Sequence, residues 1–123
     1  MGVANTVLNH PDEYWKIVKQ DPWVFVLFVS EYCAACQGAN KCFELVSKDY
    51  DGRVRVIILD VGQTPKIEAL GDIGTPTLVV YKNGDEEKRY LGIGHPEDRV
   101  EYLGEIFSHH LLGTALPVLP VYW

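Results

Sequence analysis

Cysteines, basic residues and long apolar runs are all scarce in this sequence. Three cysteines in 123 residues are too few for the disulfide framework of a small secreted domain. Lys and Arg number 11 against 17 Asp and Glu, a net charge of −6, so we expect no nucleic-acid partner, because such binding depends mainly on basic contacts. The longest unbroken apolar run, Trp23 to Val29, is far shorter than the roughly 20 residues of a membrane-spanning helix. We therefore expect no membrane segment and no membrane partner.

The composition is otherwise that of an ordinary globular domain. Apolar residues make up 47% and charged residues 23% of the chain, enough to bury a sizeable core and to exclude disorder. No repeat, low-complexity segment or linker divides the chain, so we expect one domain over residues 1–108 and an apolar extension over residues 109–123. The N-terminus lacks the basic and apolar regions of a secretory signal, which predicts a cytoplasmic location.

Alternating helix-like and strand-like segments predict an α/β fold. Asn9 or His10 is placed to cap a helix that has Pro11 in its first turn. The pattern then predicts a buried strand over residues 24–29, a helix from about Cys33 to Lys48, a strand over 54–61 and a short helix over 64–70. It continues with a strand over 77–81, a turn at Asn83-Gly84, a returning strand over 88–91 and a helix from Pro96. This order requires a mixed central sheet with helices on both faces.

Cys33 and Cys36 are spaced for reversible disulfide chemistry. They lie one helical turn apart, so their side chains can come within bonding range. Helical phase places Cys36 on the core-facing stripe and Cys33 off it, at the helix N-terminus. The positive end of a helix stabilises a thiolate, so we expect a lowered pKa at Cys33. The pattern therefore predicts Cys33 as the attacking thiol and Cys36 as the resolving thiol of a dithiol–disulfide exchange.

Other interpretations of the cysteines stay open. A zinc site would need a ligand from His95, His109 or His110, which lie far along the chain, so we expect no metal. The pair could also be an inert structural feature. Cys42 lies on the apolar stripe of the same helix, which favours a packing role, with regulatory or intermolecular oxidation as the alternative.

Further motifs accompany the cysteine pair in a specific order. Cys33-Ala34-Ala35-Cys36 follows the strand Val24 to Val29, and Gly74-Thr75-Pro76-Thr77 and then Tyr81-Lys82-Asn83-Gly84 come later. With these motifs, over about residues 23–108, the chain resembles the thioredoxin family. The resemblance implies a thioredoxin fold in which Cys33 is the nucleophile, Cys36 the resolving thiol and Pro76 a cis-proline facing them. It also implies a protein-disulfide reductase of cell redox homeostasis that needs no cofactor, acts on disulfide-containing proteins and is recharged by an electron-donor reductase.

The resemblance also implies a substrate-contacting surface around the pair. The backbone of Thr75 would be free to pair with an extended substrate segment. Gly92 and Gly94 would leave room for a partner backbone. The residues expected to contact substrate are Tyr32, Ala34, Ala35, Thr75, Pro76 and Gly92.

The sequence also departs from the family pattern near the cysteines. Leu27 and Ile58 stand where the family has a buried acid and its lysine, so the usual proton acceptor for the resolving thiol is absent. Glu31 or water could replace it. Ala34-Ala35 stands where Gly-Pro is common, and we expect this change to shift the reduction potential in a direction that the sequence leaves open.

Two other functions therefore remain alternatives. One is a disulfide oxidase or isomerase of an oxidising compartment, motivated by Ala34-Ala35 and by the missing acid. The other is a non-catalytic binding module with a thioredoxin fold that uses its apolar C-terminal tail. The tail, residues 109–123, has no charged side chain apart from two histidines, so we expect it to pack on its own domain or to mediate self-association.

Overall fold

The computed structural model describes residues 5–30, 33–71, 73–93 and 97–114, and at Ala35 the backbone only. These residues form three α-helices around one four-stranded sheet. The helices are α1 (Pro11–Val18), α2 (Ala39–Ser47) and α3 (Arg99–Leu112). The strands are β1 (Trp23–Val29), β2 (Arg55–Asp60), β3 (Thr77–Lys82) and β4 (Asp85–Tyr90). Short 3₁₀ turns occur at Ala34–Cys36, Lys48–Tyr50 and Glu68–Leu70.

The sheet is mixed, with the strand order β2-β1-β3-β4. β1 pairs with β2 in parallel and with β3 in antiparallel orientation, and β3 and β4 form an antiparallel hairpin. The predicted α/β fold with a mixed sheet is therefore confirmed. None of the helices in the described ranges is long and apolar enough to cross a membrane.

β1 is one of the two interior strands of the sheet, and both of its faces are covered. Phe25, Leu27 and Val29 are buried on the side of α2 and α3, against a core that includes Phe43 and Phe107. The alternate residues of β1 are buried against α1, with Tyr14 and Val18. Burial on both faces explains why the strand has no polar residue, and each fully buried Phe or Leu contributes roughly 1.5–3 kcal/mol to stability.

α1 begins with a hydrogen-bonded cap at His10. The His10 ring Nδ1 accepts from the backbone N–H of Asp12 at 3.1 Å, and the Glu13 carboxylate accepts from the backbone N–H of His10 at 2.9 Å. This reciprocal arrangement is a capping box, and Pro11 fills the first turn as expected. Of the two predicted caps, the structure selects His10.

The β3–β4 hairpin turns at Asn83-Gly84. Both residues have positive φ, 53° and 87°, which is the turn geometry that Asn-Gly favours. Pairing therefore resumes at once, with Asp85 opposite Lys82, and the predicted start of the returning strand at residue 88 is wrong. The error arose because β4 is an edge strand whose first residues are charged and exposed.

The predicted helix from Cys33 to Lys48 is interrupted. Cys33 precedes the three-residue 3₁₀ turn, Gln37 is extended (φ −61°, ψ 123°) and Gly38 has a left-handed φ of 76°, so α2 begins only at Ala39. Gly38 permits this break because a glycine adopts positive φ without a steric penalty. The predicted helix over residues 64–70 is likewise only a single 3₁₀ turn at Glu68–Leu70.

The two outer strands have different neighbours along their free sides. The N-terminal segment lies against β2, where the backbone N–H groups of Asn5 and Thr6 donate to the Ile58 carbonyl and the Asn5 side chain accepts from the Ile58 N–H. β4 instead presents Asp85, Glu86 and their charged neighbours to solvent.

A buried histidine joins α3 to β4. The His110 side chain is only 3% exposed; its Nδ1 lies 2.6 Å from Glu87 Oε2 and its Nε2 lies 2.8 Å from the Tyr90 hydroxyl. Its ring also contacts Trp23 and Phe25 near the start of β1. His110 therefore belongs to the folded core, because α3 continues through Leu112 before Gly113 ends it.

Candidate active site

The predicted cysteine pair lies just beyond the C-terminal end of β1. The backbone N–H of Cys33 donates to the Ser30 carbonyl at 3.2 Å, and that of Cys36 donates to the Cys33 carbonyl at 3.1 Å. These bonds wind the turn so that both side chains lie on one side of it. Both cysteines are free thiols; Cys33 is half-buried and Cys36 is buried. The predicted difference in their accessibility is thus present in the structure.

The loop before β3 supplies the opposite wall. The Thr75–Pro76 peptide bond is cis, and Cys33 Sγ donates to the Thr75 carbonyl at 3.4 Å. The Thr77 hydroxyl donates to the Gly74 carbonyl at 2.7 Å, which holds the loop in place. The chain therefore brings together two segments that are about 40 residues apart, and the Cys33 side chain contacts both of them.

Burial sets the protonation of Cys36. Loss of solvent is the main cause that raises the pKa of the Cys36 thiol, and its hydrogen bond with Cys33 acts in the same direction. Hydrogen bonds with Thr75 and the Ser30 backbone oppose the change without cancelling it. Cys36 is therefore held as a neutral thiol beside the more accessible sulfur of Cys33.

The physical basis predicted for Cys33 needs correction. Cys33 lies at the start of a three-residue 3₁₀ turn, and the N-terminus of the long helix belongs to Ala39 instead. The helix dipole that the sequence pattern placed at Cys33 is therefore displaced along the chain by the break at Gly38.

The predicted substrate-contacting residues divide into three groups. Ala34 is exposed in the turn, and Thr75 and Pro76 form the facing loop. Gly92 is buried, with a positive φ of 119°, next to Ile93 of the core that also contains Cys36. The other predicted residues lie outside what the structure describes: Tyr32, Gly94 and the side chain of Ala35. The same holds for Glu31, the predicted replacement acid.

Asp60 is a buried carboxylate that the sequence pattern did not single out. It ends β2, and its Cα pairs with that of Val29 at the end of β1. Strand alternation from Ile58 puts its side chain on the α2 face, the face that also buries Cys36. One oxygen accepts from the Gly62 N–H at 2.8 Å, while Oδ2 is buried without a hydrogen-bond partner. Among the described residues it is the one buried acid.

Arg99 is a second buried charge at this end of the molecule. It is the first residue of α3 and only 2% exposed. Its guanidinium Nη1 donates to the Gln37 carbonyl at 2.9 Å, one residue after Cys36. The sequence did not predict this role for Arg99. The helix dipole disfavours a cation at a helix N-terminus, and an arginine is normally exposed.

Among the described residues, Cys42 and the three histidines lie apart from the cysteine pair. Cys42 is a free, half-buried thiol on α2 that packs against the core containing Cys36. Leu27 and Ile58 are fully buried in that core. Within the described part of the chain, no three His, Cys, Asp or Glu side chains converge as metal ligands.

Comparison with known sequences supports the resemblance seen in the motifs. The sequence profile of the thioredoxin family matches residues 5–104. A thioredoxin of Rickettsia bellii is 27% identical over 89 residues, covering 72% of this chain and 85% of that protein. A thioredoxin of Staphylococcus saprophyticus is 29% identical over 85 residues, covering 68% of this chain and 78% of that protein.

Solved structures share the same architecture. A mutant thioredoxin from Halobacterium salinarum superimposes with a TM-score of 0.69 at 20% identity, covering 90% of this chain and 91% of its own, which supports the fold. The oxidised thioredoxin of Plasmodium falciparum superimposes with a TM-score of 0.67 at 27% identity, covering 83% of this chain and 96% of its own. Since the family profile spans most of the sequence and the fold agrees, the chain belongs to the thioredoxin family of redox proteins.

Proposed function

We propose that this protein reduces disulfide bonds in other proteins, with Cys33 as the nucleophile and Cys36 as the resolving thiol. The observation that supports this most directly is the pairing of a half-buried thiol with a buried one, beside a loop carbonyl 3.4 Å from the first sulfur. An accessible attacking thiol and a sheltered second thiol are the two components that disulfide exchange requires.

In the first step, the Cys33 thiolate attacks one sulfur of a substrate disulfide. The substrate S–S bond breaks, a mixed disulfide forms between Cys33 and that sulfur, and the other substrate sulfur leaves as a thiolate that takes a proton from water. Because only the thiolate attacks, deprotonation of Cys33 precedes this step.

In the second step, Cys36 releases the substrate. Its thiol loses a proton to water and its sulfur attacks Cys33 Sγ, forming the Cys33–Cys36 disulfide. The bond between Cys33 and the substrate breaks, and the second substrate sulfur leaves as a thiolate and is protonated. The substrate has gained two electrons and the pair has lost two, so no cofactor is needed within the chain. An external reductase or dithiol must return the two electrons.

Thr75, Pro76, Ala34 and Gly92 are the described residues that we assign to substrate contact, with Tyr32 and Ala35. The Thr75 backbone lies outside the ladder between β1 and β3, whose pairing begins at Thr77, so its backbone groups can pair with an extended peptide. A peptide held there would place its disulfide against Cys33, because Thr75 already contacts that sulfur.

A reducing role implies a reducing compartment, so a cytoplasmic location remains our prediction. We also propose that residues 1–108 carry the redox function and that residues 109–123 are an added extension, although α3 itself continues to Leu112. The oxidase or isomerase and the non-catalytic binding module receive no support from the relatives, which are named thioredoxins.

The test is reduction of insulin disulfides by the protein in the presence of dithiothreitol. Cys33→Ser should lower the rate to that of dithiothreitol alone, whereas Cys36→Ser should accumulate a mixed disulfide with the substrate that is visible by mass. Cys42→Ser is the matched control and should keep the activity of the unmodified protein. Turnover retained by Cys33→Ser would refute the assignment of the nucleophile, and failure of the unmodified protein to form any Cys33–Cys36 disulfide would leave only the binding module.

A further inference from the structure

The segment Cys33–Cys36, here called the redox turn, is followed by a break in the backbone hydrogen-bond pattern. The first helical bond of α2 runs from the Cys42 N–H to the Gly38 carbonyl at 3.1 Å. The Gln37 carbonyl, one residue earlier, therefore lies outside the helical ladder, because Gln37 is extended and Gly38 is left-handed. A backbone carbonyl at such a break is available to accept from a donor outside the helix, either water or a side chain from elsewhere in the fold.

Arg99 supplies that partner from a different helix. Its Nη1 donates to the Gln37 carbonyl at 2.9 Å, and its side chain is almost completely withdrawn from solvent. The guanidinium is planar and its N–H groups have fixed directions, so it holds an acceptor more rigidly than a lysine can. α3 packs directly against α2, so the anchor is carried by a fixed part of the structure.

We propose that Arg99 is a positioning residue for the resolving step: by holding the Gln37 carbonyl, it fixes the exit of the redox turn and keeps the Cys36 sulfur in reach of Cys33. The inference rests on the proposed disulfide exchange and adds to it a residue 62 positions away from Gln37 in the sequence. Cys36 must bring its sulfur to bonding distance of Cys33 Sγ, and small displacements of a reacting group reduce rates steeply.

The alternative role for a buried arginine is stabilisation of the fold alone. That role predicts a lower urea midpoint when Arg99 is replaced, with unchanged exchange chemistry in the fraction that is folded. The positioning role predicts instead that Cys36 competes less well for the mixed disulfide. The two roles are separated by measuring the equilibrium constant between the cysteine pair and glutathione, together with the rate at which a mixed disulfide resolves.

The experiment compares Arg99→Met and Arg99→Lys with the unmodified protein. We expect Arg99→Met to lower the equilibrium constant for forming the Cys33–Cys36 disulfide about tenfold, equivalent to a reduction potential about 30 mV higher, and to slow resolution by a similar factor. Arg99→Lys keeps the charge without the planar geometry, so we expect a loss of about threefold. Initial attack by Cys33, measured by alkylation at a fixed pH, should change less than resolution does.

Arg55→Met is the matched control. It also removes one guanidinium, but Arg55 begins β2, opposite Val24, at the other end of a strand about 17 Å long. Arg55 bonds Gln20 and approaches Asp21, far from the redox turn. For Arg55→Met we expect the equilibrium constant for the Cys33–Cys36 disulfide and the rate of mixed-disulfide resolution to match those of the unmodified protein.

A second variant approaches the same junction without changing charge. Gly38→Ala adds a side chain at a φ of +76° where no neighbouring atom is in the way, so its effect comes from backbone strain alone. If Arg99 acts through the Gln37–Gly38 junction, the effects of Arg99→Lys and Gly38→Ala on resolution should not add in the double variant.

The outcomes distinguish failure of the positioning role of Arg99 from failure of the proposed disulfide reduction. If the unmodified protein forms no Cys33–Cys36 disulfide in glutathione buffers, the proposed function fails. If it does, and Arg99→Met and Arg99→Lys keep its equilibrium constant and resolution rate, the inference is overturned and Arg99 serves the fold. Should Arg99→Met not fold, Arg99→Lys and the double variant decide: additive effects, or no effect, overturn the inference in the same way.

Discussion

The buried polar groups at the two ends of β1 differ in how completely they are hydrogen-bonded. At the start of the strand, His110 is enclosed by Trp23 and Phe25, and both of its ring nitrogens have a partner, Glu87 and Tyr90. At the far end, about 20 Å away, a buried thiol has a raised pKa and Asp60 keeps one buried oxygen without a partner.

The difference shows which end of the sheet serves the fold and which serves the chemistry. A fully paired polar group contributes to stability, whereas an incompletely paired one lowers it. Such unpaired groups are commonly found where a protein reacts or binds. These differences predict that substitutions at the His110 end lower stability and spare disulfide exchange, whereas substitutions at the cysteine end alter exchange or raise stability by removing an incompletely paired group.

The largest effect on stability is expected for His110→Ala. It removes a packed ring and leaves the buried Tyr90 hydroxyl without its partner, so we expect a loss of about 3 kcal/mol in the free energy of unfolding. Urea denaturation measures the loss. His109→Ala is the matched control, because His109 is the neighbouring histidine and its ring bonds an exposed residue, Thr114. Slower insulin reduction by folded His110→Ala would contradict the division between the ends.

A smaller effect of opposite sign is expected for Asp60→Asn. The amide can still accept from the Gly62 N–H, and a neutral group costs less to bury than a carboxylate with an unpaired oxygen. We therefore expect the free energy of unfolding to rise by about 1 kcal/mol at neutral pH, again measured with urea. A stability loss of similar size would mean that the Asp60 carboxylate is well stabilised in the fold. Asp60 would then not count among the incompletely paired groups at the cysteine end.

The smallest change is expected on mild acidification. Burial is the main cause that lowers the pKa of His110 in the folded state, although its bond to Glu87 opposes this, while His109 and Lys88 act with burial. A proton therefore binds the unfolded chain more readily, so His110 contributes stability above a pH of about 6.5 and loses it as pH falls below that value. The urea midpoint should fall between pH 7 and pH 5, and His110→Phe should reduce the slope. An equal slope in both proteins would assign the fall to carboxylates.

Local patterns predicted the elements whose cause is local. The unbroken apolar run of β1, the cap before Pro11 and the Asn83-Gly84 turn each depend on a few adjacent residues, and each is found in the structure. The accessible position of Cys33 and the sheltered position of Cys36 are also as predicted, although the continuous helix from which they were predicted is broken at Gly38.

Features that depend on distant partners could not be predicted in the same way. A single glycine inside an apolar helical pattern is usually tolerated, so Gly38 did not indicate that the helix is interrupted there. The hydrogen bond from Arg99 to the Gln37 carbonyl at this interruption comes from a residue far along the chain. Asp60 resembled an ordinary residue at the end of a strand, because its burial depends on the loop that follows and on the neighbouring strand. Both features arise from contacts between segments that the chain brings together only on folding, so the residues adjacent to them do not indicate them.

The margins of the sheet bear on how the protein behaves at high concentration. Free strand edges can recruit strands of other molecules and so start aggregation, and charged side chains or a covering segment prevent this. Here the Asn5–Thr6 segment already occupies hydrogen-bonding groups of β2, and acidic residues line the opposite margin along β4. Both margins are therefore poor templates for sheet growth from molecule to molecule.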